Sequence, residues 1–412
     1  MRLLFNESYK MTGKKSRFVN SYIFFALVLC TCTQLKANAI TLATDNLPTN
    51  KIKVGAEQTA FYLPLLKNKR VGLVVNQTSM VGKHHLVDVL IANNIKVQTI
   101  FAPEHGFRGN RDAGEKFDSS IDKKTGVPLV SIYGKNRKPS SEVMANLDVI
   151  IFDIQDVGVR FYTYISSMHY MMEASADAGI TFMVLDRPNP NGAFVDGPLL
   201  EPEFSSFVGM HKIPLLHGMT VGELAMMFKG EQWLKTQKKL NLKVIPLKNY
   251  QRKQSYSLPV KPSPNLPNDT AINLYPSLGF FEATPVSIGR GTNFPFQVIG
   301  HNKISLGDFA FMPVSTPGAA SKPKLMNKHL LGQDLRNSSI KGLDLSFIIN
   351  WHNAFKKQNV KFFTRAQFMD KLSGTDKLRK AIVAGKTANE IKLSWQNDLA
   401  NFYTLRQPYL LY

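Results

Sequence analysis

The chain has 412 residues, of which 44% are hydrophobic, and a formal net charge of +21 at pH 7. Its length exceeds that of one ordinary domain, so two domains are expected. A basic chain could bind nucleic acid, but we find no recognisable nucleic-acid module, so the sequence predicts no nucleic-acid partner. Residues 1–39 carry six Lys or Arg and one Glu, which leaves +16 on the remainder. That charge indicates either an anionic envelope polymer as partner or a basic surface that aids solubility.

The N-terminal segment has the pattern of a cleaved export signal. Basic residues precede a short apolar run over residues 22–30, and residues 37–39 supply the small-x-small pattern of a signal peptidase site. The run is shorter than the roughly 20 apolar residues of a transmembrane helix, so no stable membrane insertion is expected after cleavage. We therefore expect a signal peptide at residues 1–39 and a periplasmic mature protein without cysteine. The alternative is a lipoprotein anchored through Cys32.

Short apolar runs alternate with helical patterns along the first 260 residues. The runs RVGLVV, KVQTIFA, DVIIF, ITFMVL and LKVIPLK have the composition of buried strands. LVDVLIANN, SEVMANL, the stretch 164–178 and GMTVGELAMMFKGEQWL have helical patterns and lie between them. This alternation predicts an α/β fold with a doubly wound parallel sheet over residues 50–260.

Four of these strands end in polar, hydrogen-bonding residues. Parallel strands place their carboxyl ends at one edge of the sheet, which is where open α/β proteins bind ligands. The sequence therefore predicts one polar rim that contributes to a ligand site. Its members are Asn76, Gln77, Glu104, His105, Asp153, Gln155, Asp156, Asp186, Arg187 and Asn189.

A proline-rich segment, residues 257–277, separates the alternating part from a different C-terminal part. We expect neither a helix nor a central strand in this segment because of its prolines. The predicted domain boundary lies there, near residue 260. Residues 261–412 are expected to form a smaller α+β domain, with helical patterns at 377–384 and 389–405.

Several kinds of site lack their sequence signature in this chain. There is no GxGxxG after the first strand and no GxxxxGK[ST], so we expect no nucleotide cofactor. GxSxG and HExxH are also absent, and the histidine spacing matches no recognised zinc site, so no metal is expected. Carboxylates, arginines, asparagines and tyrosines in loops remain, as is usual in a carbohydrate or carboxylate site. Glycoside hydrolysis needs a proton donor, a second polar group and a cleft.

Seven sequence blocks carry a resemblance to a known family. In chain order they are APEHGFRG, FDIQDVGVRFYTY, LDRPNP with NGAFVDGP, LLHGMTVGELA, PSPNLP, FFEATPVSIGRGT with PF, and RQPYLLY. In these blocks the chain is similar to the DUF1343 family, whose members are assigned as exo-β-N-acetylmuramidases of the NamZ type. The resemblance implies a Rossmann-like N-terminal domain and a smaller C-terminal domain with the cleft between them. It also implies release of non-reducing terminal N-acetylmuramic acid from peptidoglycan fragments, the muramyl saccharides expected as partners.

The implied substrate suggests roles for residues inside the blocks. N-acetylmuramic acid carries a lactyl carboxylate, which an arginine can hold with two hydrogen bonds. Arg160, Arg187 and Arg290 all lie in the blocks, although a structural salt bridge is expected for at least one of them. Tyr162 is either part of the sugar-binding surface or core. His217, just before a helix, either contacts ligand or caps the structure, and we assign it to the substrate site.

Glu104 is the leading catalytic candidate, as a general acid, because it follows a strand in the strongest block. His105 either orients Glu104 or packs beside it, and Glu282 in FFEATP is the second catalytic candidate. Relatives often carry a further glutamate shortly before GRGT, where this chain has Ile288. That acidic position is therefore not essential, or this protein is altered there.

Two other function classes fit parts of the pattern. A periplasmic solute-binding protein also has two α/β lobes around a cleft, although its lobes are usually alike and this C-terminal part differs from the first. A metal-dependent amidase or deacetylase acting on the same polymer could use Glu104, His105, His217 and Asp153.

Overall fold

The computed structural model describes residues 51–104, 106–107, 120–134 and 136–412. Residues 50–412 form one compact unit. The predicted signal peptide, its cleavage site and Cys32 lie outside the described residues. Among the helices of the described ranges, none is both long and apolar enough to cross a membrane.

Twelve strands and eleven α-helices make up the described part of the chain. The strands are β1 Arg70–Val75, β2 Met80–Val81, β3 His84–His85, β4 Lys96–Ala102, β5 Ser120–Ile121, β6 Pro128–Ser131, β7 Val149–Asp153, β8 Thr181–Leu185, β9 Asn241–Ile245, β10 Val298–His301, β11 Phe309–Phe311 and β12 Leu330–Asp334. The helices are α1 Thr59–Leu66, α2 Leu86–Ala92, α3 Ser141–Ala145, α4 Tyr164–Ala178, α5 Val221–Gly230, α6 Asp269–Leu278, α7 Ser346–Lys357, α8 Ala366–Ser373, α9 Lys377–Val383, α10 Ala388–Leu393 and α11 Gln396–Arg406.

The main sheet has seven strands in the order β5-β6-β4-β1-β7-β8-β9. Six of them are parallel, and only the edge strand β5 runs antiparallel. Taken in chain order, the six parallel strands have the order 3-2-1-4-5-6, which is the Rossmann arrangement. The predicted α/β fold with a Rossmann-like parallel sheet is confirmed.

Alternate residues of the central strands pack on opposite faces of this sheet. In β1, Leu73 and Val75 belong to a core with α1 and α2, whereas Val74 belongs to a core on the other face. Successive side chains of a strand point to opposite faces, so a strand that is buried on both sides is apolar throughout. This explains why RVGLVV has no polar alternation.

The C-terminal part continues one of these two cores. This part consists of a three-stranded antiparallel sheet, β10-β12-β11, and helices α6 to α11. Helix α7 contributes Trp351 and Phe355, and α11 contributes Phe402, to the cluster that also contains residues of α4 and α5. The smaller α+β part is thus present. Because the core runs on without a break, the boundary near residue 260 stays a prediction.

One local expectation is wrong. Helix α6 begins inside the proline-rich segment, where we predicted neither a helix nor a central strand. The Asn268 side chain accepts a hydrogen bond from the Ala271 N–H at 3.0 Å, and Asp269 adds a negative charge to the first turn. These features stabilise a helix start. Pro276 lies in the last turn of the helix and lacks the N–H that would bond to the Ile272 carbonyl, and the helix ends two residues later.

Candidate active site

A buried ion pair lies at the carboxyl edge of the sheet, beside the point where the strand order reverses. The strand order reverses between β1 and β7, the point where open α/β sheets usually bind ligands. There Arg187 Nε donates to Asp153 Oδ1 at 2.6 Å, and Nη2 donates to Oδ2 at 2.9 Å. Asp153 is 0% exposed and Arg187 is 5% exposed. Both belong to the predicted rim, but they neutralise each other, so the geometry favours a scaffold role over the predicted substrate contact.

The amide side chains of the rim bond to backbone groups. Gln77 Nε2 donates to a backbone carbonyl at 3.1 Å, and Gln155 Nε2 donates to two carbonyls at 2.6 and 2.7 Å. Asn189 Nδ2 donates to a carbonyl at 2.8 Å, and Asn76 Oδ1 accepts from a backbone N–H at 2.9 Å. The structure brings these residues to one sheet edge, where they hold loops in place.

Asp186 holds the start of helix α5. Its carboxylate accepts hydrogen bonds from Thr220 Oγ1 at 2.7 Å, the Gly222 N–H at 2.8 Å and the Tyr412 hydroxyl at 2.9 Å. Burial raises the pKa of Asp186 to about 7, although the hydrogen bonds from Thr220 and Gly222 act in the opposite direction. These contacts again favour a scaffold role over substrate binding.

Asp156 and His217 are buried next to each other. Asp156 Oδ2 accepts from the Gly158 N–H at 2.6 Å and lies 3.7 Å from His217 Nε2. His217 Nδ1 accepts from the Met219 N–H at 3.2 Å. Neither side chain is among those that line the pocket described below.

Arg160 joins the two parts of the chain from within the core. Its fully buried guanidinium donates to the carbonyls of Pro198 at 2.8 Å and Ile213 at 2.7 Å, and to those of Leu372 at 3.4 Å and Ser373. Burial lowers the pKa of Arg160 to about 9. All of these bonds go to the protein's own backbone, which favours a scaffold role for Arg160 over the predicted substrate contact.

One pocket brings residues of both parts of the chain together. Its lining combines a carboxylate, an arginine and several aromatic and amide side chains. The lining residues are Glu104, Phe161, Tyr162, Thr163, Tyr164, Ser263, Asn265, Leu266, Tyr275, Arg290 and Phe296. Of the predicted site residues, Glu104, Tyr162 and Arg290 therefore meet at this pocket.

Glu104 lies two residues beyond the end of β4 and is held by hydroxyl groups. The Tyr133 hydroxyl donates to Glu104 Oε1 at 2.9 Å, and Thr163 Oγ1 lies 3.1 Å from Oε2. The Tyr164 hydroxyl donates to the Glu104 carbonyl at 3.4 Å. Because Thr163 precedes the first turn of α4, the carboxylate also lies near the positive end of that helix dipole.

Arg290 is held on the other side of the pocket by Glu282. Arg290 Nε donates to Glu282 Oε1 at 2.7 Å, and Lys324 Nζ lies 3.8 Å from Glu282 Oε2. Burial raises the pKa of Glu282, but the charges of Arg290 and Lys324 outweigh it, so the pKa lies below its ordinary value. Burial lowers the pKa of Lys324 to about 8. Near neutral pH two cations thus share one carboxylate, which favours an anionic group beside Arg290.

Aromatic rings shape the remaining walls. The Tyr162 hydroxyl donates to the Pro262 carbonyl at 2.7 Å, and its ring meets that of Tyr164 edge-on at 4.9 Å. The Arg290 guanidinium lies over the Phe296 ring, 5.1 Å from its centroid. Phe296 has a φ of 58°, in the left-handed region that bulky residues rarely adopt. Backbone strain of this kind concentrates at functional sites.

Sequence reasoning missed Tyr133, Thr163 and Tyr275. Tyr133 follows β6, a strand of four residues whose apolar run is too short to stand out. The sequence feature that could have identified Tyr133 is the run VPLVSIYG. Like the longer apolar runs, it is followed by polar or turn-forming residues. Ile288 is buried in the core, and His105 lies outside the described residues.

The fold and the pocket define a Rossmann-like α/β protein with a carboxylate and an arginine in a tyrosine-rich cleft at its sheet edge. Residues 71–270 match the family model for the N-terminal part of the exo-beta-N-acetylmuramidase NamZ, and residues 273–412 match the model for its C-terminal part. The chain belongs to this family.

Individual relatives agree with that membership. The chain is 40% identical over 373 residues to the peptidoglycan beta-N-acetylmuramidase NamZ of Bacillus subtilis (strain 168), covering 85% of this chain and 89% of that one. The chain is also similar to two crystal structures of DUF1343 family proteins from Bacteroides fragilis NCTC 9343. Each match covers 88% of this chain and 99% of the chain in the crystal structure. The first has a TM-score of 0.81 at 47% identity, and the second has 0.76 at 30%.

Proposed function

We propose that this chain is an exo-acting glycoside hydrolase that releases non-reducing terminal N-acetylmuramic acid from peptidoglycan fragments. The observation that carries the proposal is the placement of Glu104 and Arg290 on one pocket. A carboxyl group can protonate the leaving oxygen of a glycoside, and a cation can hold the acidic group that marks a muramic acid. Family membership and the 40% identity to a protein named as a peptidoglycan beta-N-acetylmuramidase support it.

In this proposal Glu104 is the general acid. Its proton moves to the glycosidic oxygen as the bond from that oxygen to the anomeric carbon breaks. Water then adds to the anomeric carbon, and the proton that this water loses returns to the Glu104 carboxylate. Burial raises the pKa of Tyr162, Tyr164 and Tyr275 above the ordinary tyrosine value, so their hydroxyls stay neutral. Neutral tyrosines supply both hydrogen bonds and apolar ring surface to a sugar.

We assign recognition of the lactyl carboxylate to Arg290. Of the three arginines considered, Arg160 and Arg187 use their guanidinium groups within the scaffold. Arg290 lines the pocket, and its contact with Glu282 involves Nε, which leaves the outer face of the guanidinium for a ligand. Glu282, the second catalytic candidate, therefore acts in this proposal as the group that orients Arg290.

The two alternative functions receive less support from the geometry. Asp153 is bound to Arg187 and His217 is buried against Asp156, so two of the residues for a metal-dependent amidase have other partners, and neither lines the pocket with Glu104. Within the described ranges no group of three or more His, Cys, Asp or Glu is arranged to hold a metal ion. No specific observation favours a solute-binding protein, and turnover of a chromogenic muramide separates it from an enzyme.

Substrate preference tests the role of Arg290. We expect the wild type to hydrolyse an aryl N-acetylmuraminide more than tenfold faster, in kcat/KM, than the matching N-acetylglucosaminide. A tenfold preference corresponds to about 1.4 kcal/mol. The N-acetylglucosaminide leaves the Arg290 cation without an anionic partner, and this loss is large enough to account for that difference. Arg290→Met should reduce this preference mainly by weakening muraminide hydrolysis.

Arg336→Met is the control for that substitution, because Arg336 pairs with Asp334 at the surface. It should leave the preference unchanged. Equal hydrolysis of both glycosides by the wild type would show that the lactyl group is not recognised, and the proposed substrate would then be wrong.

We also propose that the protein is exported to the periplasm. Support comes from the N-terminal pattern of basic, apolar and small residues, and from a substrate class that lies in the cell envelope. The mature chain is expected to begin near Ile40 and to appear in the periplasmic fraction. Intact-mass spectrometry of the purified native protein measures this, and an acylated N-terminal Cys32 would instead establish a lipoprotein.

A further inference from the structure

Glu104 and Tyr133 are brought together by the register of the sheet. Strands β4 and β6 are parallel neighbours, and Ala102 pairs with Ser131. Each of the two residues lies two positions beyond this pair, so both side chains leave the same edge of the sheet next to each other. The Tyr133 hydroxyl donates to Glu104 Oε1 at 2.9 Å.

The two carboxylate oxygens have different surroundings. Thr163, which lies 3.1 Å from Glu104 Oε2, lines the pocket together with Glu104. Tyr133, whose hydroxyl donates to Oε1, is not among the lining residues of the described ranges. Of the two oxygens, Oε2 is thus the one whose hydroxyl partner, Thr163, lines the pocket.

The Tyr133 ring is itself held from behind. It meets the Phe207 ring edge-on at 6.1 Å, and the Arg137 guanidinium lies over Phe207 at 4.4 Å. The Ser166 hydroxyl donates to the Phe207 carbonyl at 2.7 Å, which ties this support to helix α4. Burial and the nearby charge of Glu104 raise the pKa of Tyr133, so the phenol remains a hydrogen-bond donor.

We propose that Tyr133 is a positioning residue that fixes Glu104 Oε1 and thereby presents Oε2 as the proton-carrying oxygen. The inference rests on the proposed function, in which Glu104 is the general acid. When the Oε2 proton moves to the leaving oxygen and the glycosidic bond breaks, the negative charge left on Glu104 is stabilised by the Tyr133 hydroxyl at Oε1.

The test compares two leaving groups in Tyr133→Phe. One substrate is a muramyl disaccharide, whose sugar alcohol needs a proton to leave, and the other is a nitrophenyl muraminide, whose phenolate leaves with little help. We expect kcat on the disaccharide to fall about tenfold or more with little change in KM, a fraction of the full effect of a general acid. On the nitrophenyl substrate kcat should fall less than about threefold, which corresponds to the loss of one weak hydrogen bond.

Tyr170→Phe is the matched control. Its ring stacks on the same Phe207, at 6.4 Å, so this variant removes a hydroxyl from a neighbouring tyrosine without touching Glu104. Both substrates should be hydrolysed at wild-type rates. Thermal melting of each variant shows that the fold is retained, and the phenylalanine at position 133 keeps the packing against Phe207.

Assaying Glu104→Gln on the same two substrates distinguishes the role of Glu104 from that of Tyr133. If Glu104→Gln shows no dependence on the leaving group, the proposed function of Glu104 fails. If the rate loss in Glu104→Gln depends on the leaving group but Tyr133→Phe slows both substrates equally, Tyr133 has only a structural role and the inference is overturned.

Discussion

Glu104→Gln is expected to lower kcat/KM on a muramyl disaccharide by about a hundredfold or more, the scale for losing a general acid. Glutamine has nearly the same shape, and its carbonyl oxygen can still accept the hydrogen bond from Tyr133. Its amide can donate to Thr163 Oγ1, which is 3.1 Å from Oε2. The surroundings stay satisfied while the transferable proton is lost, so activity should fall without loss of the fold.

A steady-state assay and a melting curve together measure this effect. Glu203→Gln serves as the control, because Glu203 is an exposed glutamate at the surface. It should retain full activity. Near wild-type turnover by Glu104→Gln, with unchanged melting, would show that Glu104 is not the general acid.

The main sheet is predictable because its strands are buried on both faces. Continuous apolar runs such as β1 and β7 can only be satisfied between two layers of helices, and the intervening helical patterns require parallel connections. From that arrangement it follows that residues such as Asn76 and Asp153 meet at one edge. The structure has them there.

Which rim residues line the pocket and which serve only the scaffold cannot be predicted from the sequence in the same way. Asp153 and Arg187 are equivalent to Glu104 in sequence pattern, since each follows an apolar strand. Only the three-dimensional arrangement shows that Asp153 and Arg187 bind each other, whereas Glu104 lies at the pocket. The same applies to Arg160, whose acceptors are carbonyls up to 213 positions away in the chain.

Two elements, strand β6 and helix α6, are also not predicted from the composition of their segments. Strand β6 has four residues, and its position beside β4 depends on long-range pairing, so Tyr133 was not recognised as a neighbour of Glu104. Helix α6 was missed because prolines outweighed the capping signal of Asn268. In both cases a strong tertiary contact or a local cap decided the structure against the general composition of the segment.

The Asp153–Arg187 pair leads to a prediction about stability. Arg187→Met is expected to lower the free energy of unfolding by about 3–5 kcal/mol, because it leaves the fully buried Asp153 carboxylate without its counter-charge. Arg187 Nη2 also donates to the Met80 carbonyl at 3.1 Å, and that bond is lost too. Domains have only about 5–15 kcal/mol of stability, so this loss is large.

Arg70→Met is the matched control, since Arg70 forms the same two-bond contact with Asp148, at 3.2 and 2.9 Å. That pair is partly exposed to solvent, with 40% and 31% of the side chains accessible, so its loss should cost only about 0–1 kcal/mol. Urea unfolding measures both values. The double variant Arg187→Met with Asp153→Leu should recover stability relative to Arg187→Met alone, because the unpaired charge is gone. If Arg187→Met lowers the free energy of unfolding no more than Arg70→Met does, the buried Asp153–Arg187 pair does not stabilise the fold more than the Arg70–Asp148 pair.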